Sequence, residues 1–226
     1  MVEGKRATKT ALYDAFAASG KALASGKRLE LLDLLAQGER TVEALARAAG
    51  LNLTTASAHL QTLKQAGFVA TRRDGVRIHY RLAGADVAQL LVLLRKVAET
   101  HQATVAPARD AYLGPAADSE LSRDELIARS DAGTVLVLDV RPAEEYAAGH
   151  IPGAVSIPVA ELPQRVAELP VDTDIVVYCR GEYCALAYDA VRLLNEHGRR
   201  GIRLHDGMLE WRLADLPVDT ANLDLV

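Results

Sequence analysis

Cysteine is scarce in this 226-residue chain: Cys179 and Cys184 are its only two. That is too few for a disulfide framework, and the pair is too close in sequence for ordinary loop closure. Long apolar runs are missing as well. No uncharged stretch approaches the ~20 residues that span a bilayer, and the longest candidate, VAQLLVLLRKVAE (87–99), is short and carries Arg95 and Lys96. The opening MVEGKRATK lacks the apolar core of a secretory signal. These absences lead to the expectation of a cytoplasmic protein with no membrane partner. The length allows two domains of ordinary size.

The net charge of −4 hides an asymmetry. Residues 1–106 hold 15 Lys+Arg against 9 Asp+Glu, or +6, whereas residues 107–226 hold 11 against 21, or −10. A basic half joined to an acidic half suggests that only the first meets nucleic acid.

In that first half, residues 8–24 have a helical pattern with Leu12, Ala15, Phe16 and Leu23 on an apolar face. RLELLDLLA (28–36) forms a second helix, stopped by Gly38. Thr41 is placed to cap a short helix in VEALARAAG (42–50), and Asn52 to cap LTTASAHLQTLKQAG (53–67). Two short helices joined by a tight turn at Gly50 have a helix-turn-helix layout. On the second, Ala56, Leu60 and Leu63 make the buried stripe, leaving Thr54, Thr55, Ser57, Ala58 and Gln61 to face elsewhere. FVATRRDGVRIHYRL (68–82) alternates on both sides of Asp74-Gly75, a two-residue hairpin signal. Arg72, Arg73 and Arg77 cluster at its tip, where a wing would meet phosphates.

RLELLDLLAQGERTVEALARAAGLNLTTASAHLQTLKQAGFVATRRDGVRIHYRL resembles the ArsR family of bacterial winged-helix repressors, most of all in ALARAAGL, SAHLQTLKQAGFV and the DG wing. The resemblance implies a homodimer built on the first and last helices, here 8–24 and 86–106, and binding to a two-fold operator. Leu90, Leu94, Val97 and His101 lie at helical spacing on the last of these. Metal-sensing members carry cysteines in the helix before the recognition helix, or Asp/His/Glu sets on the last one. VEALARAAG has no cysteine, and Asp86, Glu99 and His101 make no convincing ligand set, so neither a metal nor a cofactor is expected.

In the second half, strand-like runs at 135–140, 154–158, 175–179 and 202–205 alternate with helical segments, implying a parallel sheet covered by helices. DIVVYCRGEYCALAYDAVRLLNEHG (174–198) reads as a buried strand, a short turn and an amphipathic helix, so Cys179 sits where strand becomes helix. Backbone N–H groups and the positive helix end favour an anion there, and a thiol so placed is depressed in pKa. LDVRPAEEYAAGHIPGAVSIP, YCRGEYCALA and DGMLEWRLADLPV resemble three signatures of the rhodanese family, over roughly residues 119–226 by the usual boundary error.

The resemblance implies that Cys179 is the nucleophile and carries sulfur as a persulfide. The loop Arg180, Gly181, Glu182, Tyr183 and Cys184 would supply the amides that hold the sulfur anion, with Gly181 relaxing the turn. Asp139, Arg141, Glu145 and His150 are expected as structural partners, and Asp206, Gly207 and Trp211 as a wall of the site. The loop departs from the usual sulfurtransferase pattern: Arg180 is its only cation, Glu182 offsets it, and its end has Cys184 and Ala185 rather than a basic residue. Related phosphatase and arsenate-reductase loops need arginine where Ala185 stands. Cys184 is read as a resolving thiol, with a small packing residue as the alternative.

The expected architecture is a mainly α winged helix-turn-helix with a β-hairpin wing (1–106), a linker (107–118) and an α/β rhodanese-like domain with a parallel sheet (119–226). The function expected is that of a DNA-binding transcriptional regulator, of repressor type, sensing reactive sulfur or thiol redox state through Cys179 and Cys184. The alternative is a sulfurtransferase working through a Cys179 persulfide; an arsenic or soft-metal sensor ranks last. Partners would be double-stranded operator DNA, a sulfane-sulfur donor (thiosulfate, persulfide or polysulfide) and a second copy of the chain.

Overall fold

The computed structural model describes residues 2–114 and 120–221, with side chains from Lys5 onward. Residues 115–118 of the expected linker, with Ser119, lie outside the described residues. The chain divides into two compact units, Met1–Val92 and Leu93–Val226.

The first unit contains α1 (Val2–Leu23), α2 (Gly26–Ala36), β1 (Arg40–Thr41), α3 (Val42–Ala48), α4 (Leu53–Gln65), β2 (Val69–Asp74) and β3 (Arg77–Leu82), and the start of α5 (Ala85–His101). Both expected caps form: the Thr41 side chain accepts the Ala44 N–H at 3.3 Å, and Asn52 accepts that of Thr55 at 2.8 Å. Gly50 and Gly67 follow α3 and α4 with φ of 60° and 79°, a region open to glycine. Leu31, Leu35, Leu45, Leu60, Leu63, Val69, Tyr80, Val87 and Leu91 build one core. The three strands pair antiparallel in the order β1-β3-β2. Asp74 pairs with Arg77, so the hairpin turn is Gly75–Val76, one residue beyond the expected Asp74-Gly75. Gly75, at φ 58°, takes the positive-φ position.

α5 runs on past the boundary, and its residues from Leu93 belong to the second unit. It stops at His101, short of the expected residue 106, and α6 (Val105–Leu113) follows. Residues 107–113 of the expected linker are therefore helical. Pro107 lies in the first turn of α6, where a missing N–H breaks no helical bond. Next come β4 (Glu120–Leu121), α7 (Arg123–Asp131), β5 (Val135–Asp139), α8 (Ala143–Ala147), β6 (Val155–Ser156), α9 (Leu162–Arg165), β7 (Asp174–Tyr178), α10 (Ala185–Glu196), β8 (Arg200–Leu204) and α11 (Met208–Leu213). Among these α7 begins with a reciprocal capping box between Ser122 and Glu125. All strand pairs of the five-stranded sheet, β4-β8-β7-β5-β6, are parallel.

The central strand β7 is buried on both faces, as parallel strands covered by helices are. Ile175 and Val177 join Leu138, Ala187, Ala190, Val191 and Leu194 on one side. Val176 and Tyr178 join Leu204, Met208 and Trp211 on the other. The two-residue period therefore delivers Cys179 to the side covered by α10.

A polar network ties the ends of β5 and β7. Asp139 and Arg141 have fully buried side chains and meet at 2.6 Å. Asp139 also accepts the Tyr178 hydroxyl at 2.6 Å, and Arg141 donates to the Gly149 carbonyl at 2.8 Å. Burial, then the Asp139 charge, raises the Tyr178 pKa, so the phenol stays a donor. Removing one partner of a buried ion pair strands the other charge. Arg141→Met is expected to lower the stability of the second unit by about 3–5 kcal/mol, measured by chemical denaturation followed through Trp211.

Candidate functional site

Cys179 and Cys184 are joined by a disulfide, with Cα atoms 6.3 Å apart. Cys179 directly follows β7 and is 1% exposed; Cys184 occupies the position before the first turn of α10. The intervening Arg180, Gly181, Glu182 and Tyr183 are all half-buried.

The backbone of the loop is held from one side by the β8–α11 turn. The N–H groups of Met208 and Leu209 donate to the carbonyls of Cys179 and Arg180 at 2.9 and 3.0 Å. Gly207 lies flat against the loop: a Cβ there would stand 2.3 Å from the Gly181 nitrogen and 2.4 Å from its Cα. Glu210 accepts the Gly207 N–H at 2.9 Å, and burial pushes its carboxyl above the ordinary range. Trp211 donates its indole N–H to the Pro217 carbonyl, fixing the end of this wall.

The charges of the loop are compensated from elsewhere in the unit. The partner of Arg180 is the buried Glu145 of α8, at 2.6 Å, a longer-range pairing than the expected offset by Glu182. Tyr183 donates its hydroxyl to Glu99 of α5 at 2.5 Å, and Arg95 lies over its ring, 5.8 Å from the centroid. Glu99 also pairs with Arg109 of α6. Burial and the Glu99 bond raise the Tyr183 pKa. One expected donor is engaged: the Cys184 N–H binds the Gly181 carbonyl at 3.1 Å, closing the turn instead of facing a sulfur anion. His150, expected to fix a turn, stacks on Tyr146 and pairs through its backbone with Asp219. Among the described residues no group of three His, Cys, Asp or Glu side chains is arranged to hold a metal ion.

In the first unit, Thr54 and Ala58 of α4 are exposed, and Thr55 and Ser57 are half-buried. Gln61 also lies on this helix, but its amide donates to the Tyr80 hydroxyl at 3.1 Å, so α4 is tied to the wing. Arg72, Arg73 and Arg77 are exposed on the wing strands. Arg72 is bound to Glu39 at 2.5 Å, and Arg73 donates to the Gly75 carbonyl at 3.1 Å. Glu39, just before β1, has no distinguishing mark in the sequence; only the β1–β3 pairing brings it to the wing.

Comparison with known proteins accounts for both units. Residues 25–71 match the family model "Bacterial regulatory protein, arsR family", and residues 122–214 match "Rhodanese-like domain". The HTH-type transcriptional regulator Rv0324 of Mycobacterium tuberculosis is 59% identical over 216 residues, covering 96% of this chain and 95% of the relative. The chain belongs to that family of transcriptional regulators, in which an arsR-type helix-turn-helix precedes a rhodanese-like domain. A sulfurtransferase of Allochromatium vinosum is 35% identical over 102 residues, covering 44% of this chain and 94% of its own length. A solution structure of the homodimeric winged helix-turn-helix DNA-binding domain of Mb0332 from Mycobacterium bovis is 59% identical. It covers 42% of this chain and 89% of its own, with a TM-score of 0.40.

The close approach of Gly207 to the loop backbone can be tested. A methyl group at residue 207 must displace Gly181. Gly207→Ala is expected to cost roughly 1–3 kcal/mol, the usual range for overpacking, and to slow closure of the Cys179–Cys184 bond. Thiol trapping after addition of polysulfide, with denaturation as the control for stability, measures both.

Proposed function

We propose that the chain is a homodimeric repressor-type regulator that binds operator DNA and reads reactive sulfur through Cys179 and Cys184. The observation that carries this reading is the closeness of the two cysteines, 6.3 Å between Cα atoms, at the carboxyl end of a parallel strand. In a persulfide donor RS–SH, the Cys179 thiolate attacks the outer sulfur, forming Cys179–S–SH and releasing RS⁻. The Cys184 thiolate then attacks the Cys179 Sγ. The disulfide forms and HS⁻ leaves, so the sulfane sulfur is the oxidant and no other is needed. A dithiol reductant returns both thiols.

The DNA-binding surface would be α4 with the wing. Thr54, Thr55, Ser57 and Ala58 would meet base edges, whereas Arg72, Arg73 and Arg77 would meet phosphates. Gln61 would contribute by orienting α4 against the wing, or exchange Tyr80 for a base. Leu12, Tyr13 and Phe16 of α1 and Leu90, Leu93, Leu94 and Val97 of α5 are exposed apolar residues, which supports pairing of two copies through these helices. Such a protein would work in the cytoplasm, where its operator lies. The domain division proposed is 1–106 for DNA binding and dimerisation and 119–226 for sulfur sensing, with the stretch between as connector.

The second reading, a sulfurtransferase with turnover, is favoured by the likeness to the Allochromatium vinosum protein. Against it, Glu145 neutralises the one cation of the loop, a poor arrangement for a dianion such as thiosulfate.

Operator duplex selected from a random pool should bind the reduced and the polysulfide-treated protein with affinities differing about 5–150-fold, the range of an allosteric coupling sufficient for a switch. Dithiothreitol should restore the starting value, and Cys184→Ser should take sulfur at Cys179 by intact mass without switching. Equal affinities with the disulfide formed, together with turnover of thiosulfate and cyanide, would make the enzyme reading the better one. The wing is tested separately. Replacing Arg72, Arg73 and Arg77 by Ala should weaken binding to every sequence and flatten the log–log salt slope by roughly one unit for each arginine that meets a phosphate. Glu39→Gln, which removes the nearer of the two carboxylates paired with Arg72, should tighten binding.

A further inference from the structure

The helix α5 has two dissimilar faces in its last turns. Arg95 and Glu99, four residues apart, share one face and are half-buried in the second unit. Leu90, Leu94 and Val97 lie roughly opposite at 100° per residue and are exposed. The polar face is occupied by one residue of the cysteine loop. Tyr183 donates to Glu99, its ring lies beneath the Arg95 guanidinium, and Arg109 takes the other Glu99 oxygen. Tyr183 is adjacent to Cys184, so a change in the Cys179–Cys184 linkage acts on the residue that touches α5.

We propose that the Tyr183–Glu99 hydrogen bond is a latch that reports the chemical state of the cysteine pair to α5, engaged in the disulfide form and released in the dithiol form. With the disulfide closed, the loop from Cys179 to Cys184 is a short ring, and Tyr183 is presented to Glu99 in one geometry. Two thiols lift that closure. Residues 181–184 gain freedom, and ordering Tyr183 on Glu99 then carries its full entropic cost. Glu99 keeps Arg109, so its charge stays compensated when the tyrosine leaves. The end of α5 loses a charge-assisted hydrogen bond and the cover of an aromatic ring, and frays more readily.

Because α5 is continuous, this loosening begins on the same helix whose earlier residues, Val87 and Leu91, belong to the core of the first unit. The exposed apolar face lies on the turns affected. The latch therefore connects sulfur chemistry to the helix expected at the dimer interface, without any ligand on the winged helix. It rests on the proposed sulfur chemistry at Cys179 and Cys184, but not on any DNA sequence.

Hydrogen exchange of the full-length protein, prepared with inorganic polysulfide or with dithiothreitol, tests it. Peptides covering 93–101 should exchange roughly tenfold faster in the dithiol form, the scale set by one hydrogen bond to a charged group. Tyr183→Phe removes only the hydroxyl, and should make these peptides exchange fast in both forms while the disulfide still closes by intact mass. Glu99→Gln retains a neutral acceptor and should give a response smaller than wild type but present. Equal exchange of 93–101 in the two wild-type forms, or a Tyr183→Phe response as large as that of wild type, would overturn the latch. The two proposals fail differently. If sulfur sensing is wrong but the latch is right, α5 exchange responds while operator affinity stays constant; if the latch alone is wrong, affinity switches and α5 exchange stays constant.

Discussion

The cysteine loop depends on a buried charge pair that it does not contain. Asp139 and Arg141 are both inaccessible to water, where an unpaired charge costs several kcal/mol. Each must therefore keep the other, and that requirement fixes the chain from the end of β5 into α8. The same short stretch supplies Glu145, which reaches Arg180 beside the first cysteine. Tyr178, adjacent to Cys179, hangs from Asp139 on the other face of β7. The cysteine loop is thus braced on both sides by one segment, and the amides of α11 hold the carbonyls of Cys179 and Arg180 in addition. What this framework does not itself hold is the span from Glu182 to Cys184.

That distribution of rigidity favours a two-state device over a turnover site. A transferase must admit a donor, hold an anion and release a product repeatedly. Here the cation of the loop is neutralised, one loop amide closes the turn, and a second thiol stands within bonding distance of the first. Any persulfide formed at Cys179 has an internal competitor for its next step. Intramolecular attack by a neighbouring thiolate gains from proximity over attack by an acceptor in solution. The disulfide, once formed, stops further transfer until it is reduced. A site that arrests itself after one event is well suited to record that the event occurred.

Local signals in the sequence are sufficient for most elements. Thr41 and Asn52 stand before apolar periodic segments and cap the helices expected of them. Continuous apolar runs mark β5 and β7, and the change from period 2 to period 3.6 across residues 179–185 locates the loop. The Ser122–Glu125 capping box is a weaker signal, because the helix it opens has only Leu126 fully buried and a poor apolar pattern. The wing differs by one residue because Asp-Gly is usually the turn itself, whereas here Asp74 still pairs with Arg77. The illegible contacts are those between distant residues: Glu99 with Tyr183, Glu39 with Arg72, Gln61 with Tyr80 and Glu145 with Arg180. Several of these residues stand out individually in the sequence, but none carries a signal of which distant residue it meets. Their pairing follows only from the topology that brings them together.

These long-range polar contacts also set how signal and binding can be separated. α4 has no arginine, so if it reads bases as proposed, affinity for DNA would come largely from charges on the wing and elsewhere in the basic half. Such a charge-driven interaction is strong when two wings engage one duplex and weak when only one does, because the second contact is made at high effective concentration. A regulator of this kind need not reshape its recognition helix to let go of DNA. If α1 and α5 join two copies as proposed, it is enough to change the spacing or order of those helices. α5 is placed for that: one face exposes Leu90, Leu94 and Val97, and the opposite face holds the tyrosine next to Cys184. Under the proposed latch, making or breaking the bond between the two sulfurs would act on the geometry of the dimer, to which two-site binding is most sensitive.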